Sequence, residues 1–211
     1  MFKISENAAS NISQLKGIRV AVLGAARSGI AVASLLARAG AQVLLSDIKS
    51  VDELSLPMEK LAPLGIRVET GAHTDAVLQS DLICISPGMP LTIPVLQKAA
   101  KKQIPIVGEI EAASWFCRSP IIAITGSNGK TTTTTLSGEI LRQWSPGTIV
   151  AGNIGQPFAE MVSGSTPNGP VLLEISSFQL ETIESFHPRI SVIMNLTANH
   201  LDRYPDFESY A

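Results

Sequence analysis

Pro120-Ile-Ile-Ala-Ile-Thr125-Gly126-Ser127-Asn128-Gly129-Lys130-Thr131-Thr132 is the stretch on which the fold turns. A buried apolar strand runs into a glycine loop, then Lys-Thr, then a helix-compatible run to Trp144. Strand, phosphate loop and helix in that order is the setting an anion cradle needs. Gly126 and Gly129 let successive N–H groups turn inward on a phosphate, and Ser127, Asn128 and Thr132 complete the loop. Lys130 would neutralise β/γ-phosphate charge, and the Thr131 hydroxyl would ligate Mg²⁺. The spacing is unusual: the common G-x-x-x-x-G-K-[ST] motif asks for glycine at 124, where this chain has Ile124. The other threonines of the run are expected to line and cap the helix start.

Upstream, residues 18–47 predict a βαβ unit. The run 18–23 ends at Gly24, a helical spacing of Ile30, Ala33, Leu36 and Ala37 follows, and a strand Gln42–Ser46 ends at Asp47. Gly24, Ala26 and Gly29 stand where a dinucleotide fingerprint has three glycines. Ala26 puts a methyl group where a pyrophosphate approaches the backbone, which weighs against NAD. A phosphate at the helix N-terminus stays attractive. Further strands are expected at Ile66–Glu69, Leu82–Ile85 and Pro105–Val107, with a helix over Leu91–Lys102. Ser86-Pro87-Gly88 turns at a strand's carboxyl end, where ligands of open α/β sheets sit.

Downstream, residues 170–175 predict a buried strand carrying Glu174, a costly placement unless donors or a cation compensate it. A strand over Ile190–Leu196 leads to His200, again past a strand's end.

The 211 residues carry 16 Lys+Arg against 18 Asp+Glu, which gives no general pull towards nucleic acid or anionic lipid. No run of about 18 apolar residues predicts a membrane span. The N-terminus lacks an apolar segment of the secretory kind, and Cys84 and Cys117 lack metal-type spacing. These features predict a cytoplasmic protein with reduced thiols. His73 and His187 are read as loop and turn residues. Trp115, Phe116 and Trp144 are read as packing at element ends, and Glu109 and Glu111 as a solvated helix face.

TGSNGKTT, GNIG (152–155), LEISSFQLE (173–181) and NHLDRY (199–204), in this order, resemble the Mur ligases of peptidoglycan synthesis. The resemblance covers nearly the whole chain. It implies an α/β protein with a Rossmann-like domain for the UDP end of the substrate (1–108), then the N-terminal part of a P-loop-type ATP-binding α/β domain (109–211), truncated. It implies an ATP-dependent amide ligase joining D-glutamate to UDP-N-acetylmuramoyl-L-alanine through an acyl phosphate. Its cofactors would be ATP and Mg²⁺, its state a monomer, with no nucleic-acid or membrane partner. By the same resemblance Lys130, Glu174 and His200 are catalytic, and Thr131, Glu174 and His200 hold metal. Ala26, Arg27, Asp47, Ile48, Ser86, Gly88, Asn153 and His200 face the UDP substrate. Asn199 stands where the family commonly has an acidic residue. The family's metal-site lysine, adenine contacts and amino-acid domain lie beyond Ala211, so the chain alone is expected to be inactive. Strands near Leu172 and Ile193 are expected to expose apolar surface. Another Mur ligase, or a non-catalytic nucleotide-binding module, is the alternative.

Overall fold

A computed structural model describes residues 2–198 and 203–211. The chain divides into two compact units, residues 1–116 with 182–186, and residues 117–181 with 187–211. Residues 109–116, grouped above with the second domain, thus pack with the first unit, as does the short segment 182–186.

The first unit begins with α1 (Ala8–Gln14) and continues through β1 (Arg19–Leu23), α2 (Arg27–Arg38), β2 (Gln42–Ser46), α3 (Met58–Leu61) and β3 (Arg67–Glu69). It ends with β4 (Leu82–Ile85), α4 (Pro94–Lys101), β5 (Ile106–Gly108) and α5 (Glu109–Ser114). The strands form one parallel sheet in the order β3-β2-β1-β4-β5, a doubly wound order. Val20–Leu23 and Leu82–Cys84 are fully buried, because helices on both faces cover the central strands. Ala21, Leu23, Ile83 and Ile85 pack with Val95, Leu96 and Ala99 of α4 on one face. The expected helix over Leu91–Lys102 is shorter at its start. Pro94 occupies its first turn and Ile93 before it is extended (ψ 144°), as the residue before a proline must be.

The second unit contains β6 (Ile121–Thr125), α6 (Lys130–Trp144), β7 (Ile149–Gly152), α7 (Phe158–Met161), β8 (Val171–Glu174), α8 (Ser177–Leu180), β9 (Ile190–Ile193) and α9 (Phe207–Tyr210). Its parallel sheet runs β7-β8-β6-β9. Leu172 is fully buried in the central strand β8, which corrects the expectation that it exposes apolar surface. Ile193 on the edge strand β9 is 64% exposed, as expected. On α6, Gly138 abuts Val150: an added Cβ would sit 2.6 Å from Val150 Cγ2. The opposite face of α6 carries Leu136, Ile140 and Trp144 exposed, so Trp144 is not a packing residue.

The solvated reading of Glu109 and Glu111 is also wrong, since both are buried. Glu111 Oε1 accepts from Trp115 Nε1 (2.9 Å), from the Ser185 N–H (3.0 Å) and from the Ser185 hydroxyl. Its Oε2 accepts from the Glu184 and Phe186 N–H groups at 2.9 and 2.8 Å. A carboxylate on α5 thereby replaces water for three consecutive backbone donors of the 182–186 segment.

Candidate functional site

In the second unit the phosphate loop bridges β6 and α6. Gly126 (φ +133°) and Gly129 (φ +81°) adopt conformations that side chains disfavour, and Gly129 caps α6. The Lys130 ammonium folds back on the loop, donating to Gly126 O (2.6 Å) and Ser127 O (3.2 Å). Among the described residues the N–H groups of Gly129, Lys130, Thr131 and Thr132 have no acceptor, as the first donors of a helix must lack one. They leave open donors with the helix dipole behind them, an arrangement suited to an anion.

Glu174, at the carboxyl end of β8, is 2% exposed. Thr131 Oγ1 donates to its Oε2 and Asn153 Nδ2 to its Oε1, each at 2.8 Å. Asn153 also donates its own N–H to Glu174 O (2.8 Å). Gly152 passes so close that an added Cβ would lie 2.3 Å from that carbonyl, which is why glycine opens the 152–155 turn. The structure thus brings Lys130, Thr131, Asn153 and Glu174 together at one edge of the sheet. His200 lies outside the described residues. Among those described, no three His, Cys, Asp or Glu side chains gather as a ready metal cage. The oxygen pair of Thr131 and Glu174 still suits a hard cation such as Mg²⁺, which takes few protein ligands and completes its shell with phosphate and water.

Other described residues of LEISSFQLE, with Arg203 and Tyr204, make structural contacts. Gln179 Oε1 accepts from Ser176 N (2.9 Å), part of a capping box that starts α8. Arg203 grips Glu181 in a bidentate pair (2.8 and 2.7 Å), and Tyr204 OH adds a third bond at 2.6 Å. The Arg203 bond holds the Glu181 carboxyl below its ordinary range against the opposing effect of burial.

In the first unit the expected ligand edge assembles at the carboxyl ends of β1, β2 and β4. Asp47 Oδ2 accepts from Ala25 N (2.6 Å), and Ser86 Oγ donates to Gly24 O (3.0 Å). Gly29 lies against the turn: an added Cβ would fall 1.7 Å from Gly24 O. That close helix-to-turn approach is the third fingerprint glycine's purpose. Ala26 is the extended N-cap of α2, Arg27 begins the helix, Ile48 is 66% exposed beside Asp47, and Gly88 has φ +84°.

Sequence reasoning missed a polar cluster beside this edge. Ser46 Oγ lies 2.8 Å from Glu69 Oε1 and 2.9 Å from His73 Nδ1. Glu69 also accepts from the Thr74 N–H (3.0 Å) and hydroxyl (2.7 Å). The Ser46 hydroxyl owns one proton and an ionised Glu69 can only accept, so His73 Nδ1 carries the other proton. Burial pushes the His73 ring below its ordinary pKa, against the pull of Asp47 and Glu69. Only the buried serine at a strand end hinted at such a cluster.

Two family models match the chain: the Mur ligase MurD-like N-terminal domain over residues 18–108 and the Mur ligase middle domain over residues 124–211. With the two sheets and the phosphate-loop geometry in agreement, the chain belongs to the Mur ligase family. Within that family its relatives include UDP-N-acetylmuramoylalanine–D-glutamate ligases. The one from Koribacter versatilis (strain Ellin345) is 50% identical over 201 residues, covering 93% of this chain and 44% of the relative. That from Geobacter sp. (strain M21) is 44% identical over 198 residues, with the same coverage. The chain therefore spans less than half the length of these curated relatives. Among solved structures, UDP-N-acetylmuramate-alanine ligase MurC from Thermotoga maritima shares the fold at TM-score 0.54 and 22% identity, covering 92% of this chain and 45% of that one. Among the described residues no helix is long and apolar enough to cross a membrane.

Proposed function

We propose that this chain is the UDP-substrate- and ATP-binding part of a ligase that joins D-glutamate to UDP-N-acetylmuramoyl-L-alanine, acting in the cytoplasm as a monomer. The observation that carries this reading is the convergence of Thr131, Asn153 and Glu174 beside Lys130 at the head of α6. In the reaction the substrate's terminal carboxylate takes the γ-phosphoryl group of ATP and ADP leaves. The D-glutamate amine then displaces phosphate from the acyl phosphate, leaving an amide. Two anions must meet in the first step, so the residues that matter are those that neutralise and align them.

The N–H groups of Gly129–Thr132 hold the β/γ-phosphates, with Gly126, Ser127 and Asn128 shaping the loop. Lys130 exchanges its two carbonyl acceptors for phosphate oxygens and stabilises the transferring charge. Thr131 and Glu174, joined by His200, would hold Mg²⁺. Bound there, the ion supplies charge neutralisation across the phosphates. Asn153 orients Glu174 and contacts the substrate. In the first unit, Asp47 and Ile48 recognise the uridine, Ser86 and Gly88 line its pocket, and Ala26 and Arg27 set the helix N-terminus beneath the diphosphate.

Thermal shift of the 211-residue chain tests the reading. UDP-N-acetylmuramoyl-L-alanine and Mg·ATP should each raise Tm, while NAD should not. Equal or greater stabilisation by NAD would refute the assignment of the first unit.

A further inference from the structure

Beyond β9, Asn195 and Thr197 are bonded to the phosphate loop. Ser127 N donates to Asn195 O at 2.9 Å. The Asn195 side chain pairs with the backbone of Asn128 in both directions: Oδ1 accepts from Asn128 N and Nδ2 donates to Asn128 O, each at 3.0 Å. Ser127 Oγ donates to Thr197 O and accepts from Thr197 N, both at 2.9 Å. Its one proton being spent, the Tyr210 hydroxyl 2.8 Å away must donate to it. Asn128 Nδ2 reaches Thr197 Oγ1 at 3.2 Å. The backbones approach so closely that a Cβ on Gly126 would meet Asn195 O at 2.9 Å.

These bonds divide the loop's donors into two sets. The N–H groups of Ser127 and Asn128 are consumed by Asn195, while those of Gly129–Thr132 stay open among the described residues. We propose that Asn195 is a positioning residue for the phosphate loop. Its amide acts as a rung that fixes Asn128, so the open donors are preorganised for a triphosphate before it arrives. The proposal rests on reading the loop as a nucleotide site. It gives the residues leading to His200 a second task, holding the loop's shape from a strand end outside the loop motif. Preorganised donors gain affinity because their ordering cost is met during folding rather than on binding.

Two substitutions separate this role from general packing. Asn195→Ala removes both side-chain bonds, whereas Asn195→Asp keeps the acceptor for Asn128 N and loses the donor to Asn128 O. Amide exchange of the ligand-free 211-residue chain, read by NMR, should show Asn128 slow in the wild type and Asn195→Asp. In Asn195→Ala it should be faster by about tenfold, as the loss of roughly one such bond allows, with β6 amides unchanged. Mg·ATP titration by calorimetry should show weakening of about tenfold in Asn195→Ala. Unchanged Asn128 exchange in Asn195→Ala, or equal acceleration across β6, would overturn the clamp. Faster Asn128 exchange with unchanged Mg·ATP affinity would overturn its role in preorganisation. Slow Asn128 exchange in a wild-type chain that takes no Mg·ATP would sink the nucleotide reading, and with it the positioning role, while leaving the clamp as structure.

Discussion

Thr131 at the head of α6 donates its hydroxyl proton to Glu174 at the end of β8, 2.8 Å away, although the two lie 43 positions apart in sequence. The pair satisfies a buried carboxylate and sets two hard oxygens side by side. Glu174→Gln keeps the shape and removes the charge. It should weaken nucleotide binding with Mg²⁺ present by about 2 kcal/mol, the worth of a hydrogen bond or ligand contact to a charged group, and leave metal-free binding almost unchanged. Calorimetry with ATP, with and without Mg²⁺, checks this; parallel losses in both conditions would disprove the metal role.

Lys130 now rests on two carbonyls of its own loop. Lys130→Ala should therefore cost little stability and much phosphate affinity. Binding of ATP should fall by roughly 1.5–3 kcal/mol while adenosine, which lacks phosphates, is unaffected. A uniform loss for both ligands would show that the substitution deformed the loop.

Glu111 fills the donors of three successive backbone N–H groups and the Trp115 indole. Glu111→Ala should destabilise the first unit by about 3–5 kcal/mol, since it strands several buried donors. Denaturant unfolding measures this, and a change under about 1 kcal/mol would mean that water replaces the carboxylate.

Gly29→Ala places a methyl group on Gly24 O. The clash cannot be relieved by a side-chain rotation, so a loss of about 3 kcal/mol, the upper range for overpacking, is expected. Loss of UDP-ligand binding should accompany it, and an unaltered melting curve would contradict the close approach.

His73 has a depressed pKa because burial disfavours its charged form. The unfolded chain then takes up the proton first, so stability is full above the ordinary imidazole pKa of about 6.5 and falls as pH drops below it. His73→Asn should flatten this part of the pH profile of Tm, between about pH 7.5 and 5.5. A wild-type profile flat across that range would remove the argument.

Most of the fold could be read from the sequence because central strands of parallel sheets are buried on both faces and appear as unbroken apolar runs. The expected strand over Ile190–Leu196 stops at Ile193, since Asn195 spends its backbone and side chain on the phosphate loop instead of a ladder. Lys130, Thr131 and Glu174 were legible from their local motifs. Glu111 was not: its backbone partners lie more than 70 positions away, and a helix-face pattern carries no information about them. The Ser46–Glu69–His73 cluster was hidden for the same reason, being assembled by adjacent strand ends rather than by one motif.

The 182–186 segment gives the first unit a discontinuous address along the gene. A polypeptide cut after Phe116 would inherit the Glu111 carboxylate without the three backbone donors that it caps, keeping the Trp115 indole from the set described above. Domain dissection after Phe116 is thus a poor route to an isolated first unit. A circularly rearranged gene, in which residues 182–186 are returned through a short linker to the end of α5, would restore the missing donors in one contiguous piece.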